Sequence, residues 1–321
     1  MRRRDFITLL AGAAAFAPRG ARAQTWPSRV VRIICPVAAG GGIDATARIL
    51  AAGLSDIWGE QAVVESKIGA SGNLAGEFVA HANPDGHTIY IATFPHLINR
   101  YFYPTLAYDP IADFAPVIRI AGYPLVMVVP NSSPAHSVNE FIAYAKTKHL
   151  TYASSGVGSS LHLAGELLKR KAGIDMTHVT YRGAGPAFQD LIPGRIDAMI
   201  NFTASSLPLV RQGQLRALAV TTAQRLAVAP DIPTMAEAGV DGVEVSSWGA
   251  FLVPAKTPPE IVRKIHDDTV AVLAQPSVRL KLEQNGAVIV GSTPQELLSF
   301  MRAETDKWGQ VIAAANIHRP D

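Results

Sequence analysis

The pattern of apolar positions is clearest between residues 30 and 58. Residues 30–35 are mostly apolar and β-branched and are followed by Pro36, which is typical of a short strand buried on both faces of a parallel sheet. Between residues 43 and 58 the apolar side chains recur at helical spacing, and Gly59 provides a C-terminal stop. This segment is therefore predicted to form a strand, a glycine-rich turn and a helix.

Apolar runs of strand length recur along the rest of the chain, and helical patterns lie between most of them. These runs are residues 88–92, 117–121, 125–129, 151–153, 178–181, 196–200, 217–221 and 287–290. Three helices are predicted to begin at capping boxes, with Ser137, Thr257 and Thr293 as the caps. Strands and helices that alternate in this way predict an α/β fold with mainly parallel sheets.

Two apolar segments, residues 125–130 and 250–254, resemble each other because both end at a proline and lead into a capped helix. We interpret them as paired crossovers between two lobes. Residues 24–124 plus 250–321 would then form lobe 1, and residues 125–249 would form lobe 2. The alternative is one large sheet in which both segments are ordinary strands.

The N-terminal residues have the composition of an export signal. Arg2, Arg3 and Arg4 precede an apolar core that is too short to span a bilayer, and an A-x-A site ends at Ala23. The arginine pair also suits the twin-arginine route. Residues 1–23 are therefore expected to be cleaved, which would leave a soluble protein in the periplasm.

Removal of this segment changes the charge of the chain. The whole sequence has a formal net charge of +3, but residues 24–321 carry 24 basic and 25 acidic residues. No basic surface is left to indicate nucleic-acid binding. Cys35 is the only cysteine, which excludes an internal disulfide and a thiolate metal cluster, and it is expected to be an inert core residue.

The first glycine-rich turn is a candidate anion site that needs no cationic side chain. Its N–H groups lie where a helix begins and where the helix dipole is positive. The candidate ligand-binding residues here are Val37, Ala38, Ala39, Gly41, Gly42 and Asp44. The turn matches neither the dinucleotide fingerprint nor the P-loop. Alternatively, the glycines only tighten the turn.

A second turn of the same kind lies in the predicted lobe 2. Its candidate residues are Ser154, Ser155, Gly158, Ser159 and His162. One such turn in each lobe predicts a single cleft, in which a dicarboxylate could be held between two helix ends with one carboxylate at each.

Further polar and aromatic candidates follow other predicted strands or begin other predicted helices. Ligands of open α/β sheets bind beyond the carboxyl ends of the strands. These candidates are Ser71, Asn73, Thr93, Phe94, His96, Tyr181, Arg182, Gly183, Asn201 and Phe202. Any one of them could instead be only a turn residue.

An exported serine hydrolase is the alternative from a different functional class. Ser159, His162 and a carboxylate such as Asp190 could serve it, but no G-x-S-x-G sequence occurs. His162 would lie near the start of the same helix as Ser159, where a cap or a ligand hydrogen bond is favoured. The nine histidines show no metal-ligand spacing, and no catalytic residue, metal or cofactor is expected.

Several motifs together resemble the tripartite tricarboxylate transporter substrate-binding proteins, also described as Bug or TctC-like. They run in order through nearly the whole chain after the export signal, as residues 36–44, 69–75, 84–88, 154–162, 181–183, 233–239 and 247–249. The resemblance implies a type II periplasmic binding fold that closes on a small organic anion and delivers it to integral membrane transporter subunits. A monomer without catalytic activity is expected.

The resemblance also implies that the turns matching residues 37–44 and 154–159 hold a ligand carboxylate through backbone amides and bridging waters. One departure is that Cys35, Val37, Ala38 and Ala39 stand where the family often has a valine and a phenylalanine-proline-rich turn. A smaller wall there could admit a bulkier ligand, either aliphatic or aromatic.

Three aromatic candidates, Phe94, His96 and Phe202, could line a pocket for an aromatic carboxylate, and Arg182 could pair with a second carboxylate. A periplasmic sensor subunit is a further alternative to an uptake receptor. The sequence names neither the ligand nor the transporter.

Overall fold

The computed structural model describes residues 26–103 and 105–318. The predicted export signal and its cleavage after Ala23 lie outside the described residues. Within the described part, no helix combines the length and the apolar character needed to cross a bilayer.

The strands alternate with helices through most of the chain, as predicted. The strands are β1 Val31–Cys35, β2 Ala62–Ser66, β3 Thr88–Thr93, β4 Phe114–Pro130, β5 Leu150–Ser154, β6 Met176–Thr180, β7 Ala198–Phe202, β8 Leu215–Val220, β9 Ser246–Pro254 and β10 Val288–Ile289.

The helices fill the connections and close the chain. They are α1 Gly42–Trp58, α2 Asn73–Ala80, α3 Pro95–Ile98, α4 Val138–Thr147, α5 Ser160–Ala172, α6 Ala184–Leu191, α7 Thr203–Arg211, α8 Pro259–Ala274, α9 Pro276–Gln284 and α10 Pro294–Ala314. One short 3₁₀ turn, Ala70–Gly72, precedes α2, and another, Asn99–Tyr101, follows α3.

The strand order is β2-β1-β3-β9-β4-β7-β5-β6, and β8 and β10 also pair with β4. In lobe 1, β2, β1 and β3 are parallel, whereas β9 runs antiparallel to β3 and β4. In lobe 2, β6, β5 and β7 are parallel, and β7 and β8 run antiparallel to β4. The predicted α/β fold is confirmed, but the sheets are mixed and not mainly parallel, because β4 and β9 add antiparallel pairs.

Strand β4 passes from one lobe into the other. Its first part, from Phe114 to Pro124, pairs with β9, and its second part, from Leu125, pairs with β7 and β8. The two strands expected at residues 117–121 and 125–129 are therefore one strand of 17 residues. The chain returns to lobe 1 at Ser246, where β9 begins. The predicted lobe boundaries at residues 124/125 and 249/250 stay predictions.

Helix α10 packs against both lobes. Its Trp308 lies edge-on to Phe94 of lobe 1, with ring centroids 5.1 Å apart. The Lys307 ammonium donates to the Glu244 carbonyl at 2.6 Å, just before the chain returns from lobe 2. This helix therefore ties the two lobes together beside the crossover strands.

The helix starts agree with the capping prediction at two of three positions. Ser137 and Thr293 accept hydrogen bonds from the N–H groups of Glu140 and Glu296, as caps do. The prediction for Thr257 is wrong, because α8 begins at Pro259 with Pro258 as its N-cap. A residue that precedes proline is disfavoured in the helical region, so Pro258 stays extended and the helix starts one residue later.

Candidate functional site

A cavity of about 560 Å³ lies between the two lobes, at the carboxyl ends of parallel strands from both sheets. Lobe 1 lines it with Pro36, Val37, Ile68, Gly69, Ser71, Gly72, Thr93, Pro95, Asn99, Phe102 and Tyr103. Lobe 2 lines it with Ser155, Gly156, Val157, Gly158, Ser159 and Thr180. Six of the residues predicted from the sequence, Val37, Ser71, Thr93, Ser155, Gly158 and Ser159, are brought together here.

The lobe 2 wall is the turn that leads from β5 into α5. Gly156 and Gly158 adopt φ angles of +126° and +77°, which side chains with a Cβ rarely adopt. A Cβ added to Gly158 would lie 3.0 Å from Cε2 of Phe102, so the Phe102 ring of lobe 1 rests against this glycine. The two lobes therefore touch at the edge of the cavity.

His162 supports this turn from behind rather than facing the cavity. Its Nδ1 accepts the Gly158 N–H at 3.2 Å, and its ring stacks on His178 with centroids 3.9 Å apart. The hydroxyl of buried Ser154 lies 2.6 Å from Nε2 of His178. Burial, together with the neighbouring His178, lowers the pKa of His162 to about 3, so its imidazole is neutral and can accept this bond.

Ser159 is the N-cap of α5. Its hydroxyl donates to the Gly156 carbonyl at 2.8 Å and accepts the N–H of His162 at 3.2 Å. In the hydrolase alternative, the Ser159 hydroxyl would need an imidazole nitrogen of His162 as its base. In the structure this hydroxyl instead contacts the backbone N–H of His162.

The lobe 1 wall contains a strained turn that leads into α2. Ala70 and Ser71 have φ angles of +47° and +55°, and Gly72 follows at +93°. Left-handed conformations cost residues with a Cβ about 1–2 kcal/mol each, and such strain clusters at functional sites. The Asn99 amide holds the turn by donating to the Ser71 carbonyl at 3.0 Å.

The first glycine-rich turn borders the cavity only through Pro36 and Val37. Residues 38–42 are exposed, and Gly42 lines a second cavity of about 270 Å³ together with Phe202. Ligand contacts by Ala38, Ala39, Gly41 and Gly42 stay predictions. The helix end that lobe 1 presents to the larger cavity is that of α2 instead of α1.

Asp44 is buried in the first turn of α1. Its Oδ2 accepts hydrogen bonds at 2.9 Å from the Gly40 N–H and from Nε of Arg48, while its Oδ1 has no partner among the described residues. The Arg48 guanidinium is the main reason that the pKa of Asp44 lies below its usual value. This carboxylate shapes the turn by bonding to its backbone.

The predicted aromatic pocket is corrected by the structure. Phe94 and His96 are 1% and 2% exposed and lie in the core, where Phe94 packs on Trp308 and Nε2 of His96 lies 2.9 Å from the Pro110 carbonyl. Phe202 lies at the second cavity. The reason is that the chain turns into α3 directly after β3, which directs both rings towards the core instead of the strand ends.

Other predicted residues also have structural partners. Buried Asn73 accepts hydrogen bonds from Asn99 and Tyr108 at 2.6 and 3.2 Å, and the amide of buried Asn201 donates to two serines of α7. The Tyr181 hydroxyl donates to Asp190 at 2.9 Å. Arg182 is exposed and Gly183 is the N-cap of α6, both close to Thr180 at the cavity. Their ligand contacts stay predictions.

Sequence reasoning missed most of the lobe 1 wall beyond the strand ends. The main omissions are Ile68, Pro95, Asn99, Phe102 and Tyr103. The available signal was the run of three aromatic residues from Tyr101 to Tyr103, which no helical or strand period explains. Only tertiary structure places Phe102 against Gly158 of lobe 2.

The cavity combines apolar walls with uncharged polar residues. None of the described residues that line it is lysine, arginine or histidine. Its polar lining residues include Ser71, Thr93, Asn99, Ser155 and Ser159, and the N-terminal ends of α2 and α5 lie beside it. Such a site favours an anion through N–H dipoles and hydroxyl donors, and its apolar walls suit a short hydrocarbon body.

Comparison with known proteins points to one family. A family model described as "Tripartite tricarboxylate transporter family receptor" matches residues 46–317. A Pseudomonas sp. (strain P51) protein named "UPF0065 protein in tcbD-tcbE intergenic region" is 35% identical over 314 residues, which cover 97% of this chain and 94% of that protein.

Two solved structures with bound ligands are also similar to this chain. The structure of R. palustris Rpa4515 with adipate is 39% identical, has a TM-score of 0.79, and the match covers 92% of this chain and 100% of that chain. The structure of MatC from Rhodopseudomonas palustris with bound malate is 33% identical, has a TM-score of 0.76, and the match covers 89% of this chain and 100% of that chain.

Proposed function

This chain belongs to the tripartite tricarboxylate transporter receptor family, and from that membership we propose that it binds a small organic dicarboxylate in the cavity between its lobes. The family and the two-lobed α/β fold agree with the predictions from the sequence. We further propose that the protein works in the periplasm after removal of residues 1–23, as a monomer, and delivers its ligand to integral membrane transporter subunits.

The single observation that carries the proposal is the pairing of two turns across the cavity. One is the strained turn at Gly69–Gly72, and the other is the glycine turn at Ser155–Ser159. Both precede helices, so the N-terminal ends of α2 and α5, which carry positive partial charge, lie at the same cavity. A molecule with one carboxylate at each end satisfies both turns.

Two similar proteins support a dicarboxylate instead of a monocarboxylate. Rpa4515 has adipate and MatC has malate, which are both dicarboxylates. The apolar side chains of Val37, Ile68, Phe102 and Val157 would contact the carbon chain between the carboxylates. Side-chain hydroxyls and backbone amides would then fix the charged ends.

We propose that ligand contacts come from the six predicted residues that line the cavity and from the missed residues Phe102, Tyr103 and Thr180. Binding would close the two lobes about β4 and the start of β9, with lobe 1 as residues 24–124 plus 250–321 and lobe 2 as residues 125–249. The protein would act as a receptor and catalyse no reaction.

The test is calorimetry on ligand-free, refolded protein with a dicarboxylate and its monomethyl ester. Removal of one charge leaves one turn without its anion, so the ester should bind at least about tenfold more weakly. Equal affinity of adipate and monomethyl adipate would refute a site in which each of the two turns binds one carboxylate. Hydrolysis of the ester that Ser159→Ala abolishes would favour the hydrolase instead.

A further inference from the structure

A third cavity, of about 430 Å³, lies at the crossover between the lobes and shares no lining residue with the ligand cavity. The crossover residues Pro124 and Ser246 form part of it. Lobe 1 contributes Arg119 and Phe300, and lobe 2 contributes residues 221–226. We call this space the hinge cavity.

Arg119 brings a positive charge to the hinge cavity and forms no ion pair with a described residue. Its guanidinium carbon lies 3.9 Å from the centroid of the Phe300 ring, and its Nε is buried with no hydrogen-bond partner among the described residues. No described carboxylate lies within ion-pair distance of it. A buried polar group is costly unless it is hydrogen-bonded, so the Nε–H of this half-buried side chain lacks the partner that its environment demands.

Three of the other charged residues that line the cavity are already engaged, whereas the Glu244 carboxylate forms no ion pair among the described residues. Arg225 pairs with Glu237 at 2.8 Å, and the Lys307 ammonium donates to the Glu244 carbonyl at 2.6 Å and to Glu304 at 3.3 Å. The other oxygen of Glu304 accepts the indole N–H of Trp308 at 2.7 Å.

Glu304 therefore acts on Arg119 only through space. Burial lowers the pKa of the Arg119 guanidinium, and the Glu304 charge opposes this shift without a direct bond. The donors of the guanidinium are left for a ligand.

We propose that the hinge cavity is a second ligand site, which binds a small organic carboxylate through Arg119. A guanidinium that stacks on an aromatic ring still presents the planar edge that grips a carboxylate in a bidentate manner. Leu226, Val288 and Phe300 give the cavity apolar walls, which suit a compact hydrocarbon or aromatic body more than a bare inorganic ion.

The test is an NMR titration of the ¹⁵N-labelled protein that follows the arginine Nε–H signals, with Arg119 assigned from Arg119→Lys. Sodium benzoate is the probe, and sodium sulfate at equal ionic strength is the control. Benzoate should shift the Arg119 signal saturably, while the signal of Arg225, which is already paired, should move little. Backbone amides of Ser155–Ser159 report separately on the ligand cavity.

Arg119→Lys keeps the charge but loses the bidentate edge, so benzoate should bind this site about tenfold more weakly. Its effect would be read from the amide signals of Thr221 and Ser246, and Arg279→Lys is a matched control on an exposed helix surface. No saturable shift of Arg119, or an equal response to sulfate, would overturn the proposal. Neither result would bear on the proposed dicarboxylate site, because binding there is followed separately through the amide signals of Ser155–Ser159.

Discussion

The contact between Gly158 and Phe102 allows a sharp test of how the two lobes enclose the cavity. An alanine at position 158 would have to adopt a φ near +77° and would place its Cβ 3.0, 3.3 and 3.4 Å from three carbons of the Phe102 ring. Gly173 at the other end of α5 has a φ of +62° and no atom within 4 Å of an added Cβ. Gly173→Ala is therefore the matched control for backbone strain alone.

The magnitudes follow from these contacts. Left-handed backbone should cost each alanine variant about 1–2 kcal/mol of stability. Carbon atoms prefer separations of about 3.5–4.0 Å, so Gly158→Ala should lose a further ~1–2 kcal/mol through overpacking. Because Phe102 must move away from the turn, dicarboxylate affinity should fall about tenfold in this variant and stay unchanged in Gly173→Ala.

The assays are urea unfolding and calorimetry with adipate. Gly158→Ala combined with Phe102→Leu should recover part of the lost stability, since the ring atoms that clash are removed. If Gly158→Ala and Gly173→Ala matched each other in both assays, the contact across the cavity would play no part in binding.

Three further predictions concern the stability of the protein and, for two of them, its affinity for a dicarboxylate. Ser159→Ala and the control Ser137→Ala at α4 should each lose about 1 kcal/mol of stability, but only Ser159→Ala should weaken dicarboxylate binding in calorimetry. The pKa of His96 is lowered from 6.5 to about 4 by burial, so its contribution to stability is complete above pH 6.5 and is lost as the pH falls towards 4. Urea unfolding of His96→Gln should show a pH slope smaller by about 1.4 kcal/mol per unit in that window, and an unchanged slope would contradict the shift. Gly53→Ala places a Cβ 2.6 Å from Cγ1 of Val272 between α1 and α8, so unfolding should show a loss of about 1 kcal/mol with unchanged adipate affinity.

The local pattern of apolar and polar residues was sufficient to predict the strands and helices that depend on residues close together in the sequence. The strand and helix around the first glycine turn are β1 and α1, because β-branched runs and helical periodicity act over a few residues. Strand β4 was divided in two because Gly122 and Pro124 are typical of a turn. In the folded protein Pro124 lies at the point where β4 changes sheets, and the backbone continues without a turn.

The lining of the cavity was predictable where it depends on backbone and not where it depends on packing, and ligand contacts stay predictions. Ser155, Gly158 and Ser159 were found because a glycine and serine turn before a helix has its own chemistry. Phe102 was missed and Phe94 was misplaced because an aromatic side chain faces a cavity or a core according to distant elements. Phe94, for example, packs on Trp308 of α10, more than 200 residues further along the chain.

The most direct test of the central claim is hydrogen–deuterium exchange of the ligand-free protein with and without saturating dicarboxylate. A ligand that bridges the lobes should protect peptides covering Gly69–Gly72 and Ser155–Ser160 together, while the exposed surface of α9 stays unchanged. Adipate and malate are the ligands to use first. Protection of only one turn, or of neither, would contradict a dicarboxylate held between the two helix ends.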